Sequence, residues 1–171
     1  FPSEAHTDML RQLQADIEAI RYETPEGSVE LPVKLKVHDS VFVPLAKWSM
    51  LLAGNYRCVQ AEEMRPIMSA VHSDIEETQA VYDWVVDLCK ALGAKESEMV
   101  PFEKYANAAK SLGSPSSAAR ALANGAQNIE RVDKLVQLVA AQKGTRLGAV
   151  DATVGLVDSW LDRNRELQLS A

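Results

Sequence analysis

The chain has 171 residues, 47% of them apolar and 25% charged, with a formal net charge of −6 and a pI near 5.1. That length suits one domain with a real core, or one domain carrying an appendage. The acidic balance argues against a nucleic-acid binder, which needs a basic face, and no apolar run approaches the roughly 18–20 residues that span a bilayer, so a soluble chain is expected.

Ser3 is placed to cap a first helix whose apolar positions, Leu10, Leu13, Ile17 and Ile20, follow the spacing of one buried face. Thr24-Pro25-Glu26-Gly27 is a turn signal. After it the period changes: Val29, Leu31, Val33, Leu35 and Val37 alternate with Ser28, Glu30, Pro32, Lys34 and Lys36, the two-residue repeat of a strand. Pro32 cannot donate to a ladder, which makes this an edge strand or an extended arm. No second strand is evident in the chain, so the expected partner is another chain or a segment outside this sequence.

From Pro44 onward the pattern is helical. The run Leu45 to Ala53 is apolar nearly all round, as a central helix is, and Gly54 should end it. Pro66 opens what reads as the longest element, with Ile67, Val71, Ile75, Val81, Val85, Leu88 and Leu92 on a helical period and Gly93 as its stop. Some 27 residues would span roughly 40 Å, the length of a spine or a dimer surface. A helix after Pro101 uses Phe102, Tyr105, Ala109 and Leu112. Gly113-Ser114-Pro115-Ser116 then breaks the chain and caps a helix from Ser117 to about Ala123, which stops at Asn124-Gly125. Asn128 begins another, using Val132, Leu135 and Val139 before Gly144. The last runs from about Ala149 through Val154, Val157, Trp160 and Leu161 into a charged tail expected to fray. The expectation is a mainly α fold of six or seven helices around a long central helix, with one N-terminal extended segment. The domain division is 1–40, helix and arm, and 41–171, the helical domain.

Signals for chemistry are sparse. Cys58 and Cys89 form neither a disulfide framework nor a zinc box and read as reduced core thiols. They favour a reducing compartment such as cytoplasm or organelle matrix, although the location itself stays open. His6, His38 and His72 lie in different elements, and the Glu-x-x-His pair of a di-iron bundle is absent, so no metal site is expected. Glu62-Glu63 and Glu76-Glu77 read as solvated helix faces, and Trp48, Trp84 and Trp160 as packing residues. There is no Gly-x-Gly-x-x-Gly, phosphate loop or nucleophile elbow.

Lys47 stands out because it lies among Leu45, Ala46, Trp48, Met50, Leu51 and Leu52. Either its stem snorkels to the surface, or its ammonium faces a cavity where it can bind a carboxylate or donate a proton. Asn55, eight residues on, would add an amide to that cavity.

From Lys47 to the end the order of motifs resembles the helical C-terminal domain of ketopantoate reductase (2-dehydropantoate 2-reductase), of the 6-phosphogluconate-dehydrogenase-like class. The family pattern Lys-x3-Asn-x3-Asn is met by Lys47, Leu51 and Asn55; a helix stop by Lys90-Ala91-Leu92-Gly93; a serine pair by Ser116-Ser117, with Asn124-Gly125 at the end of its helix; an acidic helix start, loosely, by Glu130 and Asp133; and a last helix start by Val150-Asp151-Ala152-Thr153. The resemblance covers about two-thirds of the chain. It implies Lys47 as the general acid on a ketone, Asn55 as its positioning amide, and Ser117 and Glu130 as the groups that hold a hydroxy acid. It departs from the family at Leu51, which replaces the first asparagine, and at Glu130, which needs a one-residue slip.

The resemblance implies NADP as cofactor, supplied by a nucleotide-binding domain that this sequence does not contain, so the chain would not be active alone. It also implies dimerisation. Because the chain starts at Phe1, a processed product or a piece of a longer protein is expected. The alternative is a non-catalytic helical scaffold or assembly subunit. Its partner, a second copy or another protein, would dock on the long helix and the strand arm.

Overall fold

The computed structural model describes residues 3–31, 33–38 and 40–169. The fold is mainly helical, 64% helix and 6% strand, and the chain divides into two compact units, 1–41 and 42–171.

In the first unit, α1 (Glu4–Ala19) begins after Ser3, whose backbone is extended but whose side chain makes no capping bond. The expected buried face is not formed: no α1 residue is buried, and Leu13 and Ile20 are exposed. The turn signal lies in a hairpin. Strand β1 (Arg21–Thr24) pairs antiparallel with β2 (Gly27–Glu30) in the register Arg21↔Glu30 and Thr24↔Gly27, leaving Pro25 and Glu26 as the loop. The expectation of a strand without an internal partner is therefore overturned. Its partner is the stretch Arg21–Thr24, where only Tyr22 and Thr24 carry strand character, too short a signal to register. The strand also ends at Glu30 rather than Val37; Pro32 lies outside the described residues. Past it the two-residue alternation persists without a ladder, Leu35 and Val37 half-buried and Lys34, Lys36 and His38 exposed. The Val37 amide donates to Gln14 Oε1 at 2.8 Å, and Lys36 pairs with Glu18, which holds this segment along α1.

The second unit opens with α2 (Phe42–Leu45), two residues ahead of Pro44, and α3 (Lys47–Met50). Gly54 does not end this helix. The backbone widens into a π-turn over Leu51–Asn55 and then tightens into a 3₁₀ turn over Tyr56–Cys58. Wide turns of this kind often carry functional side chains. The segment is central as expected, with Leu52, Ala53, Tyr56, Cys58 and Val59 at 3% exposure or less.

The long helix expected from Pro66 is two helices, α4 (Ile67–His72) and α5 (Ile75–Ala91). The break falls at Asp74, whose carboxylate accepts from the Glu77 amide at 2.9 Å and so starts α5 as an N-cap. Apolar periodicity runs through the break, and only the cap chemistry marks it. Still, α5 is a core element, with Thr78, Val81, Tyr82, Val85, Val86, Leu88 and Cys89 buried. Gly93, at φ +115, stops the chain after it as expected.

Next come α6 (Phe102–Ala109), α7 (Ser117–Ala123), α8 (Val132–Gln142) and α9 (Gly148–Leu169). Two details differ from the sequence reading. Helix α8 starts four residues later than Asn128 and turns Val132, Val136 and Ala140 inward, leaving Leu135 47% exposed. Helix α9 stays helical through Leu169 and is the longest described element. It is tied in by polar contacts: Asn164 Nδ2 donates to the Leu122 and Ala126 carbonyls, each at 2.9 Å, and Trp160 Nε1 to Gln60 O at 2.7 Å. No helix among the described residues is long and apolar enough to cross a membrane.

Candidate functional site

Two side-chain hydroxyls, those of Ser116 and Tyr56, bring three distant segments together at the wide turn. Ser116 Oγ donates to the Asn55 carbonyl at 2.7 Å while accepting from the Ala119 amide at 3.2 Å, so the residue that caps α7 also anchors α7 to the π-turn. The Tyr56 hydroxyl donates to the Glu130 carbonyl and accepts from the Val132 amide at 3.1 Å, which fixes the lead into α8 beside the same turn. Burial, assisted by the charges of Asp133 and Glu130, pushes the Tyr56 phenol above its ordinary pKa, so it stays a donor.

The close packing beneath this turn depends on Gly54. The Tyr105 hydroxyl donates to the Met50 carbonyl at 3.1 Å, and a Cβ on Gly54 would sit 1.9 Å from that hydroxyl oxygen. Tyr105 is held in place by stacking on Tyr82, with ring centroids 5.5 Å apart. Gly54 therefore lets an aromatic residue of α6 reach the turn that carries Asn55.

The result is a cleft of about 330 Å³ lined by Asn55, Tyr56, Ser117, Asn128, Ile129 and Glu130, among others. A second recess of about 360 Å³ shares Asn55 and Ser117 with it and adds Ser114 and Arg120. Three of the residues that the sequence marked, Asn55, Ser117 and Glu130, thus line one concavity. Lys47 does not line either recess; it is exposed on α3. A spacing of eight sets two residues about 80° apart around a regular α-helix, so it does not by itself bring them to one face.

Two other acids of the matched motifs, Asp133 and Asp151, differ in use. Asp133, fully buried, receives Arg131 through two bonds at 2.9 and 3.0 Å, and Arg131 also reaches Asp158 at 2.6 Å. Asp133 is a structural residue. Asp151, at the start of α9, accepts from Gln137 at 2.6 Å and from Arg146 at 2.5 Å.

Ser116 caps α7 as the sequence reading placed it. Sequence reading missed Tyr56 and Arg120, which carried no signal beyond nearness in sequence to Asn55 and Ser117.

The remaining concavities offer less. A recess of about 200 Å³ between α8 and α9 is lined by Trp84, Leu138, Leu147, Gln137, Arg146 and Asp151, but its polar groups bond one another, including Trp84 Nε1 to Thr145 Oγ1 at 3.1 Å. Both cysteines are free and buried. His72 Nε2 lies 3.0 Å from the Ala106 carbonyl. Among the described residues no group of three or more His, Cys, Asp or Glu is placed to hold a metal ion.

No protein-family model matches the chain, and neither does any curated protein or solved structure.

Proposed function

We propose that the second unit is the substrate-binding and dimerising helical domain of a ketopantoate-reductase-like oxidoreductase. One observation carries this reading: Asn55, Ser117 and Glu130, marked by their order along the sequence, line a single cleft although they come from three different segments. An amide, a hydroxyl and a carboxylate in one concavity suit a small hydroxy or oxo acid. The amide and hydroxyl donate to a carbonyl or carboxylate, and the glutamate accepts from a hydroxyl. Lys47, exposed and lining neither recess, is given no part in this reading, because a general acid must lie within hydrogen-bond reach of the oxygen it protonates.

NADP does not fit the residues present. The sheet among the described residues is a two-stranded hairpin, with no parallel strands and no glycine-rich turn to receive a pyrophosphate. Hydride transfer is therefore not assigned to this chain, and the nicotinamide would come with a separate domain. What the chain's own residues do in this reading is bind and orient the acid.

The test is calorimetric titration with ketopantoate and pantoate. Wild-type protein should bind one of them, and Asn55→Ala, Ser117→Ala and Glu130→Ala should each weaken it at least tenfold. Equal affinity in all four proteins would remove the reading.

A second reading, an assembly subunit, is favoured by the first unit. Helix α1 buries nothing, and Met9, Leu13, Ile20, Tyr22 and Val29 are all exposed. A two-stranded hairpin also leaves strand edges open to another chain. Sedimentation should then show association that is lost on Met9→Ser/Leu13→Ser substitution, and a monomer at every concentration would exclude it.

A further inference from the structure

We propose that Arg120 is the seat of an oxyanion, and that the recess it lines with Asn55, Ser114 and Ser117 sets which end of the ligand enters first. The inference rests on the binding role proposed above and extends it to the ligand's charge and orientation.

The observation is a set of polar side chains that the fold does not use. Ser116, in the same loop, is consumed twice over, by the Asn55 carbonyl and the Ala119 amide. Ser111 is consumed by the Ala108 carbonyl. By contrast, the side chains of Asn55, Ser114, Ser117 and Arg120 make no hydrogen bond or ion pair among the described residues; Ser114, Ser117 and Arg120 are exposed and Asn55 half-buried, and all four line one recess of about 360 Å³. The other arginines that the fold brings near carboxylates are paired, Arg57 with Glu77, Arg131 with Asp133 and Asp158, and Arg146 with Asp151. Among the described residues, Arg120 has no carboxylate within salt-bridge range.

A planar guanidinium offers two parallel donors to a carboxylate or phosphate, and the neighbouring hydroxyls and amide can supply the remaining bonds. The adjoining cleft carries Glu130, whose carboxylate repels an anion. The two recesses share Asn55 and Ser117 and differ in charge. A ligand with one anionic end and one hydroxyl end therefore has one favourable orientation, with the anion toward Arg120 and the hydroxyl toward Glu130. The acidic chain, at net charge −6, makes such a local cationic seat selective rather than a product of overall attraction.

The oxyanion has two sources, the carboxylate of an organic acid or a phosphate, and titrations with three probes separate them. The probes are 2-oxoisovalerate, its neutral carboxamide, and inorganic phosphate, each tested on wild type, Arg120→Ala and Arg120→Lys, with Asn55→Ala as reference. The expected result is that the acid binds on the order of tenfold tighter than the carboxamide. Arg120→Ala should erase that preference, and Arg120→Lys should keep part of it, because a point charge lacks the fork. Phosphate binding that depends on Arg120, with no binding of the acid, would keep the oxyanion seat and end the organic-acid reading. An acid preference unchanged in Arg120→Ala but lost in Asn55→Ala would overturn the role of Arg120 and leave the organic-acid reading standing. No Arg120-dependent binding of either anion would overturn the proposal.

Discussion

The Tyr56 hydroxyl bridges the Glu130 carbonyl and the Val132 amide, so one side chain just past the wide turn sets where Glu130 sits. Replacing it with phenylalanine keeps the ring and removes both bonds. The Val132 amide is buried and would be left without an acceptor, so Tyr56→Phe should cost about 1–3 kcal/mol in urea unfolding. It should also weaken ligand binding at Glu130. A variant with full stability and affinity would show that the bridge does not hold the cleft.

Gly54 and Tyr105 form a second coupled pair. Gly54→Ala places a methyl against the Tyr105 hydroxyl oxygen, and that tyrosine, 6% exposed, has little room to move. Overpacking of this kind costs about 1–3 kcal/mol. Tyr105→Phe removes the offending oxygen, so Gly54→Ala/Tyr105→Phe should lose less than the sum of the two single changes. Additive losses in denaturant midpoints would argue that the clash is relieved elsewhere.

Acid sensitivity should trace in part to Asp158. Burial raises its carboxyl pKa, but hydrogen bonds and charge from Arg131 and Lys134 outweigh this and hold it below the ordinary value. A carboxyl depressed in the folded state stabilises the protein above the ordinary carboxylate pKa, and that stability is lost as pH falls through the folded value. Wild type should therefore exceed Asp158→Asn in stability near neutrality, and the gap should close as the pH is taken below about 4. A gap that is constant from pH 7 to pH 3 would contradict the pairing.

Both thiols should be inert in the native state. Burial pushes Cys58 and Cys89 above the usual thiol value, and each is 1% exposed or less. Reaction with a disulfide reagent at pH 8 should proceed at the rate of unfolding and speed up only when denaturant opens the core. Stoichiometric labelling within the mixing time would show that the unit opens locally at α5 or at the wide turn.

The helical class was legible because amphipathic period and punctuation agree over most of the second unit. Gly93, Gly125 and Gly144 stop helices with positive φ where the sequence placed stops, and Ser116 caps where a cap was read. What the pattern hid were features that cost no periodicity. The apolar repeat from Ile67 to Leu92 runs unbroken through the Asp74 cap, so two helices looked like one. The π-turn at Leu51–Asn55 leaves composition unchanged while altering which residues share a face, and Lys47 stands exposed, outside the cleft that Asn55 lines. Strand β1 has four residues, the shortest length at which alternation can be read, and Arg21-Tyr22-Glu23-Thr24 offers one large apolar side chain. At the cleft, spacing pointed to Asn55, Ser117 and Glu130. Tyr56 and Arg120 emerge only from tertiary contact, because their partners or their lack of partners are set by segments far along the chain.

Amide-resolved nuclear magnetic resonance during titration with ketopantoate addresses the central claim most directly. If Asn55, Ser117 and Glu130 form one seat, their amide signals should move together along a single binding curve, while those of α1 and of the recess at Trp84 stay still. Signals that shift only at those other places, or that stay fixed at all three residues up to saturating ligand, would contradict it.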